Sequence, residues 1–130
     1  MKNQKGYITL LSTLFLVAIG GVVAGSLILL GLGFSRTSLA MDQSNQAKAL
    51  ANACAEEALE KIQESTPFSG SATITLGNGS CTYTVTKLTG QNRTVISSGT
   101  VGTIVRKISI TLDKITPSVN ITSWQEVADF

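Results

Sequence analysis

A chain of 130 residues has roughly the length of one small domain, and this one carries ten basic residues, eight acidic ones and no histidine. Without histidine, Ser-His-Asp and Cys-His catalysis are excluded and the commonest metal ligand is missing. The net charge of +2 comes wholly from Lys2 and Lys5, because residues 36–130 hold eight bases and eight acids. The rest of the chain therefore has no electrostatic footprint for nucleic acid.

Residues 1–6 form a short basic segment ending Lys5-Gly6, and residues 7–34 follow as 28 positions without a charge. As helix these would span about 42 Å, more than the ~30 Å hydrocarbon core of a bilayer. A secretory signal has an apolar region of roughly 7–15 residues and a small-residue cleavage site, so this run is too long for one. The lysines ahead of it place the N-terminus in the cytoplasm by the positive-inside rule. Within the run, Gly21-Val-Val-Ala-Gly25 has the GxxxG spacing that permits close approach of helices, so Gly21 and Gly25 are candidate packing residues.

Residues 35–65 continue the helix without a glycine or proline. Leu39, Gln43, Ala47, Leu50, Cys54, Ala58 and Ile62 recur at spacings of three and four and predict one buried stripe. Asp42, Lys48, Glu56, Glu60 and Glu64 mark the opposite, solvated face. Glu57 and Lys61 stand in the supportive i, i+4 relation. Ser65-Thr66-Pro67 ends the helix, since a residue before proline is pushed out of helical geometry.

Residues 66–114 predict a small antiparallel sheet of three or four strands. Ala72–Leu76 and Cys81–Thr86 alternate apolar and polar residues, and Gly77-Asn78-Gly79-Ser80 between them is a hairpin signal through Asn-Gly. Arg93–Ser97 and then Thr103–Leu112 follow, with Arg106 the exception on the apolar face of the last strand. Residues 115–130 are expected to form a loosely held tail. The fold class is thus α+β: a long N-terminal helix, apolar then amphipathic, packed on an antiparallel sheet.

Cys54 lies on the helical stripe and Cys81 on the strand face shared by Tyr83 and Val85, so both point to the helix–sheet interface. In an oxidising compartment such a pair forms a disulfide, which in the chain-entropy model contributes roughly 3 kcal/mol.

Lys5-Gly6-Tyr7, the apolar run from Ile8 to Phe34 and the continuation Ala47–Ile62 together resemble the type IV pilin family. The resemblance implies cleavage between Gly6 and Tyr7 by a prepilin peptidase and N-methylation of Tyr7. It also implies residence in the cytoplasmic membrane followed by polymerisation with other pilin subunits into an extracellular filament. Major pilins of that family have glutamate at the fifth mature position, which here is Leu11. That departure points to a minor subunit, with a major pilin of an atypical pilus or an uncleaved, membrane-anchored binding module as alternatives. No enzymatic activity and no cofactor are expected.

Overall fold

The computed structural model describes residues 3–128, and its elements are α1 (Asn3–Glu64), β1 (Gly70–Leu76), β2 (Gly79–Lys87), β3 (Arg93–Val101), β4 (Ile104–Lys114) and β5 (Asn120–Val127). The chain divides into two compact units within α1, after Leu39.

In the first unit an unbroken helix forms from residues that include several glycines, which are costly in a water-exposed helix. In lipid the balance differs, because every backbone polar group must be bonded within its own segment, and a helix does this. The hydroxyls follow the same rule. Ser12 Oγ donates to Ile8 O at 2.9 Å, Thr13 Oγ1 to Leu10 O at 2.9 Å, and Ser26 Oγ to Val22 O at 2.9 Å. A window of this helix reaches a mean hydropathy of 2.5, long and apolar enough to cross a membrane.

In the second unit the rest of α1 packs on a five-stranded antiparallel meander of order β1-β2-β3-β4-β5. Ala47, Ala51, Cys54, Ala55, Ala58 and Ile62 are all fully buried, a stripe of mostly small side chains that lets helix and sheet approach closely. Cys81, Tyr83 and Val85 of β2, Val95 of β3, and Ile108, Ile110 and Leu112 of β4 complete the core. β3 is the central strand, buried at every second residue along its whole length. Ser97 Oγ donates to Ala51 O at 2.7 Å, tying that strand to the backbone of the helix.

Several expectations are revised. The expected loose tail over residues 115–130 is revised as far as residue 128, with 129–130 outside the described residues: Asn120–Val127 is a fifth strand paired with β4 from Lys107↔Val127 to Lys114↔Asn120. Register shifts beside Leu112 break its alternation, and its outer edge is unpaired, so it lacks the strict period of a half-buried strand. The turn before it is held by Gln91, whose Oε1 accepts from Ile115 N at 2.9 Å and Thr116 N at 3.0 Å. In the β1–β2 hairpin the positive φ belongs to Gly77 (59°), not to Asn78, the pattern of a type II′ turn. β3 runs on past its predicted end at Ser97, through Gly99-Thr100-Val101. The predicted stripe begins too early, since Leu39 is 58% exposed; Ala51 and Ala55 are the core positions it omits. The helix ends at Glu64, with Ser65 N donating to Lys61 O at 3.1 Å before Pro67.

Candidate functional site

Lys5, Gly6 and Tyr7 lie in the first turns of α1. Thr9 Oγ1 donates to both Lys5 O (3.0 Å) and Gly6 O (2.9 Å), so the carbonyl between Gly6 and Tyr7 carries an extra hydrogen bond. A Cβ added to Gly6 would meet nothing within 4 Å, and Tyr7 is exposed. Among the described residues nothing therefore requires glycine at position 6.

The residues behind that point are unusual for their exposure. Ile8, Leu10, Leu14, Phe15, Leu16 and Val17 are all more than half exposed, as is Phe34 at the far end of the charge-free run. Contiguous apolar surface on this scale is not left in water; it marks contact with lipid or with other protein. Leu11 is also an exposed apolar side chain on this surface, and Gly21 and Gly25 have open space where a side chain would stand. Both glycines are thus available to a second helix.

Cys54 and Cys81 are joined, with their Cα atoms 6.0 Å apart and both side chains buried. The bond fastens the middle of the amphipathic helix to β2.

Two polar clusters in the second unit escaped the sequence reading. Arg93, at the start of β3, is 1% exposed and forms no ion pair with a carboxylate among the described residues. Its guanidinium donates instead to three main-chain carbonyls: Thr66 at 2.6 Å, Asn92 at 2.9 Å and Gly90 at 3.2 Å. Thr66 lies just past the helix C-terminus, where a positive charge is favoured by the helix dipole. The second cluster gathers on Glu126 of β5, which pairs with Lys48 of the helix at 3.3 Å and with Arg106 of β4. Partial burial raises the Glu126 carboxyl, but hydrogen bonds from Lys48 and Arg106 together outweigh it and hold the group below its ordinary value. Arg106, the exception on the apolar face of its strand, thereby has a partner. On the helix surface Lys61 pairs with Glu64 at 3.3 Å and Glu57 at 3.9 Å, and the hydrogen bond to Glu64 raises its pKa.

An open apolar groove of about 450 Å³ lies between the helix and the β1–β2 turn, lined by Gln46, Ala49, Leu50, Ala53, Leu76 and Val101 among others. Among the described residues no three His, Cys, Asp or Glu side chains converge as a metal site would require. Comparison with protein-family models, curated proteins and solved structures gave no match.

Proposed function

We propose that this chain is a minor subunit of a type IV pilus or related filament, cut between Gly6 and Tyr7, methylated at Tyr7 and polymerised through its N-terminal helix. The observation that carries the reading is the exposed, charge-free face of α1 in a helix that continues into a disulfide-fastened α+β unit. An apolar helix of this length is stored in the membrane with its N-terminus in the cytoplasm. It leaves lipid only for a surface equally apolar, such as the helices of sister subunits. Lipid tails are as apolar as leucine, so close packing at positions such as Gly21 and Gly25 decides the exchange. Leu11 gives neighbouring subunits no carboxylate, which suits a subunit that joins a filament without forming its bulk. No reaction is required of it.

Glycine at position 6 packs against nothing among the described residues, which favours a demand made by another protein. A residue without a side chain lets a peptidase approach the backbone closely. The test is mass spectrometry of the mature N-terminus in cells with and without a prepilin peptidase. Methylated Tyr7 should appear only in the former, and Gly6→Val should abolish it. Intact Met1 on the mature protein of peptidase-positive cells would overturn the proposal in favour of a permanently anchored module.

A further inference from the structure

On the processing reading proposed above, the bond to be cut lies inside a helix. Gly6 O belongs to the Gly6–Tyr7 peptide and, within α1, accepts the amide of Leu10 four residues on. Thr9 Oγ1 directs its one proton to that same oxygen at 2.9 Å and to Lys5 O at 3.0 Å. Among the described hydroxyls of α1 it alone reaches two carbonyls; Ser12, Thr13, Ser26 and Thr37 each reach one. Gly6, Thr9, Leu10 and Thr13 also line an open notch of about 260 Å³, so the hydroxyl stands on an accessible face of the helix.

Hydrolysis adds water across this peptide. The water oxygen bonds to the Gly6 carbonyl carbon, the bond to Tyr7 nitrogen breaks, and a proton goes to that nitrogen, leaving a leader carboxylate and a new amino terminus. The carbonyl must leave the helical ladder first, because a nucleophile has to approach its carbon and donors have to reach its oxygen. Opening a turn at the edge of lipid strands a carbonyl unless another donor takes it, and a nearby threonine hydroxyl can do so. We propose that Thr9 prepares this peptide for the cut: its hydroxyl keeps hold of Gly6 O while the amide of Leu10 lets go, which makes the turn easier to open. A hydroxyl that back-bonds to a helical carbonyl competes with the main-chain bond and loosens the helix there. Gly6 weakens the same turn through its backbone freedom. Two loosening features thus coincide at one peptide. The proposal rests on the processing reading and adds to it a demand on Thr9 that cleavage after Gly6 does not by itself make.

The experiment follows leader loss from the full chain in membranes that contain a prepilin peptidase, comparing Thr9→Val, Thr9→Ser and Thr37→Val with the unaltered chain. Valine keeps the branched shape and removes the hydroxyl. Thr9→Val should lower kcat about fivefold, the effect of one neutral hydrogen bond, with KM unchanged. Thr9→Ser should be cut as fast as the unaltered chain. Thr37→Val removes the same kind of bond from Gly33 O (3.0 Å), elsewhere on α1, and should have no effect. Without peptidase, hydrogen exchange at the Leu10 amide should slow several-fold in Thr9→Val, since that amide no longer shares its acceptor. Equal or faster cutting of Thr9→Val would overturn the role of Thr9 and leave the processing reading intact. A rise in KM at constant kcat would overturn it too, because the hydroxyl would then be a contact for the peptidase. If the unaltered chain keeps its leader in these membranes, the processing reading fails, and this proposal with it.

Discussion

Gly99 of β3 lies directly beneath the backbone of the helix at Ala47. A Cβ built on Gly99 would overlap the Ala47 carbonyl and stand 2.6 Å from Ala51 N. Backbone touches backbone here, and the contact fixes how closely the amphipathic helix can approach the sheet. Gly99→Val should therefore destabilise the second unit by about 3 kcal/mol, the upper range for overpacking a dense core. Thermal unfolding of the detergent-solubilised chain should show a fall on the order of 10 °C or more. A shift of a degree or two would mean that the helix moves aside freely.

Cys54 and Cys81 enclose 27 residues of separation, which in the chain-entropy model corresponds to about 3.5 kcal/mol. Cys54→Ala with Cys81→Ala should lower stability by this order, since both sulfurs sit in the core. Reduction of the unaltered chain should reproduce the loss in denaturant titrations. Equal midpoints for the oxidised and reduced chains would contradict it.

Arg93 holds the helix exit, the β2–β3 turn and the start of β3 through three carbonyls. Arg93→Met keeps most of the apolar stem and removes the donor to Thr66 O and Gly90 O, while Asn92 O still accepts from Leu88 N at 3.0 Å. A cost of about 2–3 kcal/mol is expected, typical of hydrogen bonds made by a charged group. Arg93→Lys should recover only part, because an ammonium cannot reach several carbonyls in the fixed fork of a guanidinium. Full recovery by lysine would show that charge alone matters.

Glu126 predicts a dependence on pH. Its carboxyl is depressed in the folded chain below its ordinary 4.5, so its contribution is complete above that value and is lost as pH falls through the lower folded value. Glu126→Gln should thus differ from the unaltered chain at neutral pH and converge with it in strong acid. Hydrogen exchange of β5 amides should report the difference first, because Glu126 is the side chain linking that edge strand to both α1 and β4. A gap that stays constant down to strong acid would assign the effect to packing.

Legibility of the fold in the sequence followed burial. The small residues from Ala47 to Ile62 and the alternation in Cys81–Val85 are both consequences of one buried face, so they leave a period that can be read. β5 leaves none, since register shifts offset its alternation and Ile121 and Trp124 remain about 40% exposed. Arg93 is hidden for a different reason. Its partners are main-chain carbonyls, which every residue has, so a buried arginine and a solvated one look alike on paper. Of the candidate site residues, Cys54 and Cys81 were legible because both halves of the contact carry a signature. Among the described residues Gly6, Gly21 and Gly25 have open space around them and Tyr7 is exposed, so the contacts within this chain assign them no role.

The back-bonded hydroxyls of the apolar helix have one more consequence. Thr9, Ser12, Thr13 and Ser26 already direct their protons to carbonyls of their own helix. Exchanging lipid for protein around this segment therefore breaks no hydrogen bond and strands no polar group, in either direction. Entry and withdrawal differ only in how well apolar surfaces fit together. On the filament reading proposed above, such a helix passes from lipid to protein without refolding.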